Sequence, residues 1–153
     1  MYNLDDILPQ QYPMRLIDRV ISADKERVVC EAVITEEHLF YDQAINGVYH
    51  WVGIEMMAQA SAVLAYFQAE GALRRKRNGF LMSVRSCTSK KQQFDCDQIL
   101  TVISQKVMIE NPVGVFSGQI LDTTGQLLSS GRFSAYQPSE DEFERILQGQ
   151  KTI

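Results

Sequence analysis

Residues 41–67, YDQAINGVYHWVGIEMMAQASAVLAYF, decide the fold. They join a polar loop to the most apolar helical run of the chain. From Trp51 to Phe67 the apolar residues go nearly all the way round a helix, the pattern of one buried on most sides. Gly53, Ala58, Ser61, Ala62 and Ala65 are small, so other backbone can come close. Glu55 is the only charged side chain of that helix, and Gln59 lies one turn further along the same face. A carboxylate in such a place is costly unless it is paired, protonated or useful.

On the amino-terminal side, Asn3 or Asp5 can cap a short helix, and Pro9 and Pro13 bracket a turn before LIDRV begins an extended stretch. Residues 16–34 read as two strands, or one bent strand, interrupted at 23–26; β-branched residues dominate RVVCEAVIT. On the carboxyl side the basic run ALRRKRNG ends at Asn78-Gly79, a helix-ending pair. Four strand-like segments follow, GFLMSVRSCTS, QILTVISQKVMI, VGVFSGQILDT and QLLSSGRFSAY, with turns at 95–97, 111–114 and 124–125. Connections this short join antiparallel neighbours, so the spacing predicts a meander. Ser139 caps a short exposed helical tail at about 139–150. One long helix wrapped by a curved antiparallel sheet satisfies this order: an α+β fold. The sheet edges left over make dimerisation the expected state.

The 153 residues bound one domain, 1–153, with one core. A net charge of -4 argues against a general nucleic-acid binder, since phosphate affinity comes from lysines and arginines. Three cysteines, far apart and without histidines at a zinc-site spacing, suggest a reduced compartment and no metal. The start of the chain lacks the apolar core of a secretory signal, and no run approaches the ~20 apolar residues of a membrane span. The expected location is the cytoplasm.

LPQQYPMRLIDRV, at 8–20, resembles the L-P-H-R-Y-P-F-L-L-V-D-R-V segment of the hot-dog fold 3-hydroxyacyl-[acyl-carrier-protein] dehydratases of bacterial fatty-acid synthesis. GIEMMAQASAVLA resembles that family's I-E-A-M-A-Q-A-A-G helix, and FDCDQ, at 94–98, its P-G-D-Q. The spelling WVGIEMMAQ is most similar to a dehydratase-like subgroup of aryl-polyene and related lipid gene clusters. The resemblance implies a hot-dog fold and a lyase activity, loss of water from a 3-hydroxyacyl thioester. No cofactor is implied beyond the phosphopantetheine of the acyl carrier protein that bears the substrate. The implied partners are acyl carrier protein and a second hot-dog subunit, identical or different, with higher oligomers also open. Glu55 falls on the family's catalytic acid and Gln59 on its helix glutamine. The family's catalytic histidine, however, falls on Tyr41 or, in a second alignment, on Ala44. The prolines around that histidine are also missing.

Dehydration needs a base for the α-proton, an acid for the departing hydroxyl and donors to the thioester oxygen. Glu55 on a buried helix would be favoured in its protonated, donating form. Backbone N–H groups of Trp51 or Val52, taken as the first turn, could polarise the carbonyl. His50 is the candidate base, as histidine is the natural one near neutral pH; His38 is the weaker alternative. If His50 is helical, its side chain and that of Glu55 point about 140° apart. Either His50 lies in an unwound turn, or it serves a site completed by another subunit. Tyr41, Trp51, Val52 and Gln59 complete the candidate substrate site. Arg74, Arg75, Lys76 and Arg77 are either a solvated loop or a docking patch for an acidic carrier protein. Two further functions remain open. One is a hot-dog acyl thioesterase, since NGVYH faintly resembles the N-x-x-G-x-x-H-G-G segment of one thioesterase branch. The other is a catalytically silent subunit that binds carrier protein or completes a heterodimeric dehydratase.

Overall fold

In a computed structural model, which describes residues 2–70 and 74–149, the apolar run forms helix α1 (Gly53–Gln68). The helix starts two residues later than its periodicity predicts, because His50–Val52 form a 3-10 turn. The cause is strand pairing just upstream: β3 (Gly47–Tyr49) keeps the chain extended through Tyr49, and the His50 N–H donates to Gln92 O at 2.9 Å. Met56, Met57, Ala60, Val63 and Leu64 on α1 are completely buried. Their nonpolar surface supplies most of the helix's stabilisation, since propensity alone is weak over sixteen residues.

The remaining strands are β1 (Arg19–Ala23), β2 (Arg27–Val33), β4 (Phe80–Ser89), β5 (Gln93–Asp95), β6 (Ile99–Glu110), β7 (Val113–Leu121) and β8 (Leu127–Tyr136). Six of them make one antiparallel sheet in the order β1-β2-β6-β7-β8-β4. The β2 segment alternates as expected, with Val28, Cys30 and Ala32 facing the core. The helix presses hard on β7: a Cβ on Gly118 would lie 2.5 Å from Met57 Sδ, so only glycine lets the two come so close.

The meander expected of the carboxyl half holds for β6, β7 and β8 only. Strand β4 pairs with β8 at the far edge of the sheet, not with β6. Its link to β6 contains β5, which pairs with β3 in a separate two-stranded sheet (Val48 opposite Phe94). A three-residue strand such as β3 or β5 has no period to detect, and its pairing is set by a segment some 45 residues away. Helix α2 (Glu140–Leu147) forms where Ser139 predicts it; the Ser139 hydroxyl accepts from the Glu142 N–H at 3.2 Å. Position 150 of that expected tail lies outside the described residues. Cys30, Cys87 and Cys96 are unpaired, and burial pushes the Cys30 thiol up to about 12. Among the described residues no helix is long and apolar enough to cross a membrane.

Candidate active site

Glu55 projects from the first turn of α1 and is half-buried, not walled in. It lines a cavity of about 600 Å³ between α1 and the ends of β4, β6, β7 and β8. That volume lies within the range of small-molecule sites. The walls mix Ala58, Ala62, Ala65, Leu81, Phe116 and Ala135 with polar Gln10, Gln68, Glu70 and Gln137, and the small residues of the helix leave the space beside it open. Arg75 and Arg77 lie at its margin, with Lys106.

Gln59 is fully engaged. Its Oε1 accepts from the Leu16 N–H at 2.8 Å, and its Nε2 donates to Met14 O at 3.0 Å and to Glu55 Oε1 at 3.2 Å. The glutamine thus pins the segment before β1 to the helix and fixes the Glu55 carboxylate by one oxygen, leaving the other free of any hydrogen bond among the described residues. Gln59→Leu would strand the buried Leu16 N–H. The expected cost is about 1–3 kcal/mol, read as a lowered urea midpoint with an unchanged slope.

The other candidates lie elsewhere. Tyr41, Trp51 and Val52 line a second, more open cavity of about 440 Å³, with Phe40, Asp42, Gln43 and Tyr49. Trp51 stacks on Tyr49 with ring centroids 4.3 Å apart, and the Tyr41 hydroxyl donates to Asn46 Oδ1 at 2.6 Å. Because Trp51 and Val52 belong to the 3-10 turn, the first amides of α1 proper begin at Gly53. His50 sits in that same turn and lines neither cavity; its Nδ1 is buried without a hydrogen-bond partner. Glu55 and Gln59 are therefore together, and the imidazole of His50 is apart from them.

The basic run is divided. The Arg74 guanidinium lies over the rings of Tyr66 and Phe67, at 5.8 and 5.2 Å, and Lys76 donates to Asp5 O. Arg75 pairs with Glu140 at 3.1 Å, so only Arg75 and Arg77 of the four face the cavity. Tyr136 and Lys106, which also line it, carry no sequence signal; they reach the site because β6 and β8 end there.

His38 is half-buried, accepts from the Phe40 N–H through Nδ1 at 3.1 Å, and has its Nε2 buried without a partner. Burial pushes its pKa down, and the Asp18 carboxylate partly opposes this. Asp18 is itself pushed up, by burial first, against the Val33 N–H that it accepts. For His38 the unfolded chain binds the proton more readily. Its contribution is present above the ordinary histidine value of about 6.5 and is lost as pH falls through the folded value. Asp18 acts in the opposite sense, and only in the lower window between the ordinary aspartate value and its own. The unfolding temperature is thus expected to drop as pH falls below the ordinary histidine value of about 6.5, and His38→Gln is expected to flatten that drop in a calorimetric pH series.

One long helix packed on a six-stranded antiparallel sheet, with one carboxylate at its first turn opening on a cavity, is the arrangement of a hot-dog protein. The chain belongs to the ApeP-like family, described as ApeP dehydratase, whose family model matches residues 2–148. It is similar to a chain in the structure of the dehydratase heterocomplex ApeI:P from Xenorhabdus doucetiae. The identity is 26%, covering 96% of this chain and 98% of that one, at a TM-score of 0.81. A hypothetical thioesterase protein with coenzyme A from Streptococcus pneumoniae TIGR4 shares the fold at 12% identity, with 79% and 85% coverage and a TM-score of 0.62. The E. coli PaaI protein from the phenylacetic acid degradation operon does so at 14%, with 77% and 81% coverage and a TM-score of 0.60. No curated protein matches the sequence significantly.

Proposed function

We propose that this chain is a subunit of a 3-hydroxyacyl-[acyl-carrier-protein] dehydratase that works together with a second hot-dog subunit in specialised lipid synthesis. The observation that carries the reading is Glu55, half-buried at the start of α1 and lining a cavity of about 600 Å³ in a chain of the ApeP-like dehydratase family. The acyl chain lies along the alanine face of α1, and its 3-hydroxyl meets the Glu55 carboxyl. A base removes the α-proton, the electron pair forms the Cα–Cβ double bond, and the Cβ–O bond breaks. The hydroxyl leaves as water with the proton given by Glu55. The thioester stays intact.

The base comes from across a subunit boundary. Of the chain's two histidines, neither lines the Glu55 cavity. His50 is the chain's own candidate for a site that a partner completes. The partner's imidazole serves Glu55. Arg75 and Arg77, at the cavity margin, meet the acidic carrier protein that presents the thioester. The same separation of imidazole and carboxylate favours the second reading, a subunit silent on its own that completes a partner's site.

The test is an assay of the purified chain on a 3-hydroxyacyl carrier-protein thioester, alone and with a hot-dog dehydratase subunit encoded beside it. Enoyl product from the pair, and little from the chain alone, supports the proposal. Release of free thiol would instead make the protein a thioesterase, and unaltered substrate in both mixtures would overturn the dehydratase reading.

A further inference from the structure

Helix α2 is tied to the rest of the chain by three contacts, and each reaches it from a residue that lines the Glu55 cavity. The Phe80 ring packs on Phe143 with centroids 6.0 Å apart, the Tyr136 hydroxyl donates to Glu142, and Arg75 pairs with Glu140 at 3.1 Å. The helix buries none of its own residues, and none of them lines the cavity. The ion pair is exposed on both sides and holds little, so the ring contact and the part-buried tyrosine hydrogen bond do most of the holding. A helix packed in this way acts on the cavity through the side chains it grips.

Phe80 and Tyr136 stand at the end of the cavity away from Glu55. They belong to one row across the sheet, Phe80 opposite Tyr136 and Tyr136 opposite Val113. Gly131, earlier on β8, lies beside the start of α1, since a Cβ on it would come within 3.5 Å of Ile54 Cδ1. At about 3.3 Å per residue, Tyr136 is about 17 Å further down the strand than Gly131. The helix gives a similar length, for Ala65 is about 15 Å beyond Glu55 along α1. An extended chain advances about 1.2 Å per bond, so about thirteen bonds separate a hydroxyl-bearing carbon at Glu55 from this row, a 3-hydroxyacyl chain of roughly sixteen carbons. The two rings are the bulky groups at that end, beside Gln68, Glu70 and Gln137.

We infer that α2, through Phe143 and Glu142, holds the rings of Phe80 and Tyr136 as the end wall of the cavity and so sets the longest acyl chain that the site accepts. The inference rests on the reading that the acyl chain lies in the Glu55 cavity. Phe143 and Glu142 touch no substrate; they are positioning residues. The test is calorimetric binding of 3-hydroxyacyl pantetheine amides of graded chain length, in which an amide replaces the thioester. Affinity for the wild-type chain is expected to rise about fourfold with each added methylene, the yield of burying one. It is expected to stop rising near roughly sixteen carbons, where the chain meets the wall. F143A and E142A each release a ring, so over-long chains are expected to bind on the order of tenfold tighter than they do to wild type, about two methylenes' worth, while shorter chains bind as before. A general loosening of the fold would instead weaken every length alike. F80A deletes part of the wall itself and is expected to move the break in the same direction. An unmoved break in F143A and E142A, a parallel loss at every length, affinity without a break, or no binding at any length would each overturn the inference. Enoyl formation with an unmoved break would sink this inference alone, whereas a moved break in a chain that yields no enoyl product with its partner would leave it standing and fail the dehydratase reading.

Discussion

Glu55→Gln is expected to lower enoyl formation by about 10²–10⁴-fold, the usual contribution of a positioned general acid or base, while leaving the unfolding temperature nearly unchanged. The two halves of this result belong together. Glutamine has the shape of glutamate and can still meet Gln59 through its amide oxygen. The site is half-exposed to the cavity, so no buried charge is uncovered or lost. What glutamine cannot do is give a proton to a departing hydroxyl. The measurement is single-turnover conversion of a 3-hydroxyacyl carrier-protein thioester by the chain with its partner subunit, beside a thermal melt of the same preparation. Full activity in a folded Glu55→Gln chain would remove the acid from the mechanism.

Phe94→Ala should produce the largest loss of stability, about 3–5 kcal/mol. Phe94 is 1% exposed and opposite Val48 in the β3–β5 pair. A Cβ on Gly53 would come within 3.2 Å of its ring, so the phenyl group is seated against the first residue of α1. Truncation opens a cavity where the helix begins, two residues before Glu55. Native domains hold only about 5–15 kcal/mol in total. The variant should therefore show a large shift of the urea midpoint, with the separate two-stranded sheet loosened and dehydration reduced even where the chain remains folded. A shift below about 1 kcal/mol would mean that this ring is not the support of the helix start.

Glu55 and Gln59 were legible as a pair because helical spacing is local: four residues apart is one turn, wherever the helix sits. That Gln59 spends its amide on Met14 and Leu16 was not legible, because that pairing spans more than forty residues. The same limit explains the division of the candidate site. Tyr41, Trp51 and Val52 precede Glu55 in the chain, yet strand β3 and the 3-10 turn that holds Trp51 and Val52 set them around another cavity. The basic run reads as one patch in sequence. In space Arg74 covers aromatic rings and Lys76 reaches the amino-terminal turn, so only Arg75 and Arg77 are left at the cavity.

By itself the sequence determined the central buried helix, most of the long strands, the Ser139-capped tail and the hot-dog likeness. Those depend on the period of nonpolar residues, on capping and on short motifs, all of which act within one or two turns of chain. Only the tertiary structure decided that β4 leaves β6 for the outer side of β8, that Phe94 seats the start of α1, and that Glu55 shares its cavity with no histidine of its own chain. Strand order and cavity shape follow from which distant surfaces bury each other best, and a choice among partners far apart in sequence leaves no periodic trace in either of them.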